Sequence, residues 1–171
     1  MSQEQKNRTP AKKQEGSTTE SIVTQWNRER PDLDASPMAV CGDIWRAGIR
    51  LNQAVIENAS QYGLDFAGMD VLLTLRRQGK GETLTPKDLA KDMMLSTAAM
   101  TNRLDRLEKR GLIVRNSDPQ DRRSLKVSLT DEGFEMADEL VTTHTAREAE
   151  LIKKLSKEEQ KLLQKLLSKV G

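Results

Sequence analysis

The hydrophobic periodicity of this chain changes directly after Gly111, and this change restricts the fold more than any other feature. Before it, apolar residues recur every three or four positions, as in amphipathic helices. After it, residues 124–129 (SLKVSL) alternate polar with apolar side chains, which is typical of a strand with one buried face. Thr130 then provides a cap for a further helical stretch, and Ser156 with Glu159 provides a capping box for the last helix. The pattern predicts a mainly α fold with one small β-hairpin.

Two short helices are predicted immediately before the hairpin. Thr85 is a suitable N-cap, Pro86 suits the first helical position, and Asp88 places a carboxylate in the first turn. Ser96 provides a cap for a second helix that runs to residue 110 and ends at a glycine. Residues 116–123 (NSDPQDRR) are turn formers with nothing apolar to bury, so they form a charged hairpin tip. This order of elements predicts a winged helix-turn-helix.

The flanking segments complete the predicted organisation. Residues 1–18 are polar and are predicted to be a disordered tail, and residues 19–30 form an additional N-terminal helix that ends before Pro31. Helical stripes over 38–63 and 131–170 are predicted to form a helical dimerisation domain around a DNA-binding lobe at 64–130. Aromatic residues make up only 3% of the chain, so a small monomer would have a marginal core that dimerisation would enlarge.

The side chains on the exposed face of helix 96–110 suit duplex DNA. The formal net charge is only +2, so any basic surface has to be local. Small residues such as Thr97 allow close approach, Thr101 and Asn102 can contact base edges, and Arg106 can reach guanine or phosphate.

The predicted wing strengthens the case for DNA. Exposed ion pairs between Arg122 or Arg123 and the aspartates at 118 and 121 would contribute only about 0 to 1 kcal/mol. Beside a narrow minor groove, in contrast, these arginines would gain its negative potential. We expect the two aspartates to orient the arginines.

Other classes of protein fit the sequence less well. His144 is the only histidine and lies in a polar stretch, with no metal-ligand spacing or nucleophile–base pair, so we expect neither an enzyme nor a metal or other cofactor. A single cysteine and the lack of a long apolar run predict a cytoplasmic location. The alternative is a winged-helix protein-interaction module, which would need an aromatic or leucine cluster on the exposed face of helix 96–110.

Residues 96–115 (STAAMTNRLDRLEKRGLIVR) followed by 118–133 (DPQDRRSLKVSLTDEG) resemble the recognition helix and wing of the MarR family of transcription regulators. The order of elements agrees over residues 38–170. The resemblance implies a homodimer on a pseudo-palindromic operator, with Thr101 and Asn102 reading bases, Ser96 and Arg106 holding phosphates, and Arg123 entering the minor groove. Gln120 stands where the family wing commonly has the first arginine of D-x-R-D-x-R, so one usual wing contact differs here.

Three kinds of effector remain open. The additional N-terminal helix and residues 26–34 resemble the urate-responsive branch of that family, which implies an effector site formed by Trp26, Asp70, Arg103 and Arg115. An aromatic face, a fork of donors and one acceptor suit a purine anion. The first alternative is peroxide sensing by Cys41, and the second is a salicylate-like phenolic anion in the cleft beside the lobe. A repressor that releases its operator on binding the effector is the expected mechanism.

Overall fold

The computed structural model describes residues 19–93, 97–118 and 124–171, so the predicted tail lies outside the described residues. Within them the chain forms seven helices and one two-stranded antiparallel sheet, as the sequence predicts: α1 (Thr19–Glu29), α2 (Ser36–Gln61), α3 (Phe66–Arg76), α4 (Pro86–Asp92), α5 (Thr97–Lys109), β1 (Ile113–Ser117), β2 (Leu125–Leu129), α6 (Asp131–Ile152) and α7 (Lys157–Leu167). None of these helices is long and apolar enough to span a lipid bilayer. The chain divides into two compact units, Met1–Ile49 and Arg50–Gly171.

The first unit contains α1 and the first half of α2. Pro31 follows the end of α1, where the main-chain N–H of Arg30 donates to the carbonyl of Trp26 at 2.7 Å. Asp34 then accepts a 2.9 Å hydrogen bond from the main-chain N–H of Ser36. Because this bond supplies a partner for an otherwise unpaired amide, α2 begins at Ser36, two residues before the predicted start.

Side-chain caps define the helix starts of the second unit. Thr85 and Asp88 form a reciprocal capping box at α4 with Pro86 in the first turn, and Ser156 and Glu159 form the same motif at α7. Thr130 caps α6 by accepting from the main-chain N–H of Gly133. These predicted caps are confirmed, because each depends only on residues within one helical turn.

One apolar core joins α3, α4, α5, the hairpin and α6. Burying each large aliphatic side chain contributes about 1.5 to 3 kcal/mol, so this core fixes the relative positions of the elements. Its largest fully buried aliphatic and sulfur-containing side chains are Val71, Leu72, Leu75, Leu89, Met100, Leu104, Leu112, Ile113, Val127 and Leu140.

The hairpin has a third partner that the sequence analysis did not predict. β1 and β2 pair in the register Ile113 with Leu129 and Ser117 with Leu125. On the other side of β2, Leu84 exchanges two main-chain hydrogen bonds with Val127, at 3.0 and 2.8 Å. The segment leading into α4 is therefore tied to β2 by two main-chain hydrogen bonds.

A close backbone approach joins the hairpin to α6. The hydroxyl of Thr130 donates to the carbonyl of Gly111 at 2.6 Å, and the main-chain N–H of Thr130 donates to that of Leu112 at 3.2 Å. A Cβ atom at Gly133 would lie 1.8 Å from the Leu112 carbonyl oxygen, which is far inside van der Waals contact. Position 133 therefore requires glycine.

Candidate nucleic-acid interface and effector site

The recognition helix, α5, has one buried and one exposed face. Met100 and Leu104 are buried in the core, while Thr101, Asn102 and Arg106 are exposed. A recognition helix meets the major groove through its N-terminal half, where Thr101 and Asn102 lie. A side chain that contacts bases has to be exposed in the free protein, and both of these side chains are. Thr97 is the first residue of α5, and Ser96 lies outside the described residues.

Arg106 lies in a weak and exchangeable ion pair. Its Nη2 is 3.1 Å from a carboxylate oxygen of Asp65, the N-cap of α3, and both side chains are at least half exposed. Such a pair contributes about 0 to 1 kcal/mol, whereas a guanidinium binds phosphate through charge-assisted hydrogen bonds. Arg106 can therefore exchange Asp65 for a DNA phosphate at little cost.

The base of the wing is closed by Asp118. Its main-chain N–H donates to the carbonyl of Ser124 at 2.9 Å, and its carboxylate lies 3.4 Å from Nζ of Lys126. Asp121, Arg122 and Arg123 lie outside the described residues, so the predicted orientation of the wing arginines by the two aspartates stays a prediction.

Arg115 joins the wing to the recognition helix. Its Nη2 lies 2.7 Å from Asp105 and 2.5 Å from Glu108, and its side chain is only 21% exposed. The hydrogen bond from Arg115 holds the pKa of Glu108 below its ordinary value. The predicted effector residue thus already has two carboxylate partners on α5.

Asp70 on α3 and Arg103 on α5 interact electrostatically. Burial raises the pKa of Asp70, although the charges of Arg77 and Arg103 act in the opposite direction. Nη1 of Arg103 is buried and has no hydrogen-bond partner among the described residues. Two of the four predicted effector residues are therefore close enough to interact electrostatically, and one of them carries a donor that is not satisfied.

Beside Arg103 lies a cavity of about 150 Å³ that is rich in guanidinium groups. Only one of its lining residues, Asp65, carries a carboxylate. An anion would therefore find more positive than negative groups there. Its lining residues are Gly63, Leu64, Asp65, Gly68, Arg103, Arg106, Leu107 and Arg110.

Trp26 and Cys41 belong to the first unit, and each is described there by itself. Trp26 lies on α1 with 43% of its surface exposed, and Cys41 is an exposed free thiol on α2. Their predicted parts in an effector site or a redox switch stay predictions. His144 lies on α6, with Nε2 3.3 Å from Glu148.

The sequence analysis missed Asp105 and Glu108, which hold Arg115. A clue was present, because two carboxylates on a helix that faces DNA would repel phosphate unless they are neutralised by a nearby cation. The partner could not be named from spacing alone, since Arg115 lies beyond the end of α5 and reaches back from β1.

Known proteins are similar to this chain in both sequence and fold. The model of the MarR family matches residues 68–125. The chain is 38% identical over 149 residues to the HTH-type transcriptional regulator PecS of Dickeya dadantii, covering 87% of this chain and 90% of PecS.

Two solved structures extend the likeness. A mutant MarR from E. coli complexed with operator DNA has a TM-score of 0.66 and 26% identity, covering 85% of this chain and 96% of that one. AbsC, a MarR family transcriptional regulator from Streptomyces coelicolor, has a TM-score of 0.73 at 23% identity and covers 81% of this chain and 93% of its own, which supports the fold. The chain therefore belongs to the MarR family: it is a winged helix-turn-helix transcription regulator, and not an enzyme.

Proposed function

We propose that this regulator is a repressor that binds a pseudo-palindromic operator as a homodimer and releases it on binding a small aromatic anion such as urate. The proposed effector site comprises Trp26, Asp70, Arg103 and Arg115. A cytoplasmic location belongs to the same proposal, because operator DNA is the partner.

The observation that carries the effector proposal is the buried Nη1 of Arg103. A buried donor that lacks an acceptor costs about 1 to 3 kcal/mol, and more when it is charged. An anionic oxygen would remove that cost. Asp70, which interacts electrostatically with Arg103, lies nearby as an acceptor for a ring N–H.

The position of Arg103 on α5 would couple the effector to DNA. If the same ligand also binds Arg115, it would compete with the carboxylates of Asp105 and Glu108. Their ion pairs with Arg115 join β1 to α5. Effector binding would therefore act on the two elements that meet DNA. A differential affinity of about 1.4 kcal/mol between the two states suffices for a tenfold change in operator affinity.

The homodimer is supported by exposed apolar side chains on the predicted dimerisation helices. The four leucines of α7 in the second unit are each between 42% and 55% exposed. In the first unit, Val40, Trp45 and Ile49 on α2 are more than 60% exposed. Monomeric proteins rarely leave so many large apolar groups in water, so we expect a second copy to cover them. The two recognition helices would then lie roughly 34 Å apart.

Effector identity is tested by titrating a complex of the protein with a duplex that it selects from a randomised pool. Urate is expected to release the wild-type protein, and Arg103→Gln or Asp70→Ala is expected to need at least tenfold more urate. Lys109→Ala, which removes a neighbouring exposed cation on α5, serves as the control. Urate release by Asp70→Ala and Arg103→Gln at the wild-type concentration would contradict the site.

The same titration compares the alternatives. Release by salicylate but not by urate would favour a phenolic effector. The exposed thiol of Cys41 makes a peroxide response the second candidate function. Release by hydrogen peroxide that disappears in Cys41→Ser would establish that function in place of the anion.

A further inference from the structure

Within the second unit, the C-terminal ends of α2 and α5 lie side by side and share the same local motif. Gly63 follows α2 with φ of 64°, and the N–H of Leu64 donates to the carbonyl of Ala59. Gly111 follows α5 with φ of 72°, and the N–H of Leu112 donates to the carbonyl of Leu107. This is the glycine-terminated helix end, and the carbonyls that the motif does not pair are available to other donors.

Arg110 joins these two helix ends. It follows the last residue of α5, and its guanidinium donates from Nη1 to the carbonyl of Gly63 at 2.6 Å and from Nη2 to that of Tyr62 at 3.0 Å. The C-terminal end of a helix carries a partial negative charge, so two such ends side by side repel each other. One guanidinium between them offsets this repulsion, and its two hydrogen bonds fix the direction of α5 relative to the end of α2.

The same junction is connected to α6. The hydroxyl of Tyr62, whose carbonyl accepts from Arg110, lies 3.0 Å from Oγ1 of Thr143. Arg110 thus links the recognition helix to the end of α2 and, through Tyr62, to α6. Both of these helices belong to the predicted dimerisation domain.

Arg110 is badly placed for a direct contact with DNA. It lies thirteen residues after Thr97, which corresponds to about 20 Å along a helix that rises 1.5 Å per residue. A recognition helix enters the groove by its other end. The two hydrogen bonds from Arg110 to main-chain oxygens therefore indicate that it positions α5 relative to α2.

We propose that Arg110 is a positioning residue for operator binding: it sets the direction of the recognition helix relative to the dimerisation helices, and so the half-site separation that the dimer accepts. This role rests on the proposed homodimer. Without the two bonds, each DNA-binding lobe could rotate relative to the dimerisation helices. This would weaken simultaneous binding of two half-sites and leave the binding of one half-site unchanged.

The test compares Arg110→Ala with Lys109→Ala, a neighbouring change of the same charge. The probes are the selected full site, one isolated half-site, and the full site with one base pair inserted at its centre. We expect Arg110→Ala to bind the half-site like the wild type and the full site about tenfold more weakly, with less discrimination against the inserted base pair. Arg110→Lys retains the charge but not the two-pronged guanidinium. Its full-site affinity should lie between those of the wild type and Arg110→Ala.

The salt dependence of affinity separates this role from a phosphate contact. On the isolated half-site, a positioning residue leaves the slope of log affinity against log salt unchanged, whereas loss of a phosphate contact reduces it. Equal weakening of half-site and full-site binding with a reduced slope would overturn the proposal, as would unchanged binding. A lower melting temperature with an unchanged ratio of full-site to half-site affinity would also overturn it.

The proposed homodimer is checked in the same experiment before any variant is used. Wild-type protein that binds the half-site and the full site equally would contradict the two-fold arrangement, and the role of Arg110 would fall with it.

Discussion

Arg115 on the first wing strand and Glu108 on the recognition helix share three hydrogen bonds. The main-chain N–H of Arg115 donates to Oε1 at 3.1 Å, and its Nε and Nη2 donate to Oε2 at 3.0 and 2.5 Å. The third residue of β1 is thereby held on the predicted recognition helix. An effector that draws Arg115 away from Glu108 would loosen this link between β1 and α5.

Glu108→Gln should lower the melting temperature at neutral pH and have little effect in acid. The pKa of Glu108 is below its ordinary value of 4.5 because it accepts hydrogen bonds from Arg115. Its stabilising effect is therefore fully present above pH 4.5 and is lost as the pH falls through the lowered folded-state value. Thermal unfolding of both proteins between pH 7 and pH 3 measures this, with the exposed Glu139→Gln as control. A difference that stays constant over this range would rule out the ion pair as its source.

Asp70→Asn should stabilise the protein without effector at neutral pH. Burial raises the pKa of Asp70 in the folded chain, so its ionised form opposes folding above its unfolded-state pKa and has no such effect well below it. The melting temperature of Asp70→Asn should exceed that of the wild type at pH 7, and the gain should shrink as the pH is lowered. A less stable Asp70→Asn protein at pH 7 would show that the charge of Asp70 is compensated by its arginine neighbours.

Gly133→Ala should destabilise the fold by about 3 kcal/mol or more, because the added methyl group meets the Leu112 carbonyl oxygen at 1.8 Å and the backbone has to separate. Chemical denaturation measures the free energy of unfolding. The exposed Glu135→Ala, two residues further along α6, should remain within about 0.5 kcal/mol of the wild type. A Gly133→Ala protein as stable as that control would show that the turn at 130–133 can open freely.

Asn102→Ala and Arg106→Ala should weaken DNA binding in different ways. Loss of a base contact at Asn102 should cost about 1 to 3 kcal/mol per half-site on the selected duplex and little on a scrambled one. Loss of a phosphate contact at Arg106 should weaken both duplexes and reduce the salt slope by about one per half-site. Fluorescence anisotropy across a salt series resolves the two. If Asn102→Ala and Arg123→Ala both left affinity for the selected duplex unchanged at fixed salt, neither residue could be a DNA contact.

Leu163→Glu combined with Leu166→Glu should convert the proposed dimer to a monomer. Neither leucine on α7 belongs to the buried core, so the double variant removes only partly buried contacts within the chain, while two carboxylates would be costly to bury between copies. Light scattering during gel filtration reports the mass, and circular dichroism checks that the helices remain. The control is Lys157→Glu combined with Lys161→Glu, which introduces charge elsewhere on the same helix. A wild-type protein that elutes at the mass of one chain would contradict the dimer directly.

Most of the fold followed from local sequence. The starts of α4, α6 and α7 were predicted because Thr85, Thr130 and Ser156 cap helices through hydrogen bonds that close within one turn. The exposed face of α5 was predicted because helical periodicity assigns Met100 and Leu104 to the core. Family membership was predicted from the residues of α5 and the wing.

The geometry of the candidate site was predicted only in part. Asp70 and Arg103 were placed in one site and do interact, but Arg115 was not expected to be held by Asp105 and Glu108. The unsatisfied nitrogen of Arg103 was also invisible in the sequence. Whether a guanidinium has a partner depends on which carboxylates the packing of other elements brings within about 3 Å of it.

The sequence by itself determined the order of the helices, their caps and the hairpin after Gly111, because each depends on neighbours along the chain. Tertiary structure alone decided that Leu84 pairs with Val127 and that Arg110 donates to the carbonyls of Gly63 and Tyr62, which are 47 and 48 positions away in the sequence. The physical reason is that such contacts form only where burial of the common core brings distant segments together. The change of periodicity after Gly111 predicted the hairpin. The packing of the core decided that the hairpin pairs with Leu84 and that the recognition helix is joined to the end of α2.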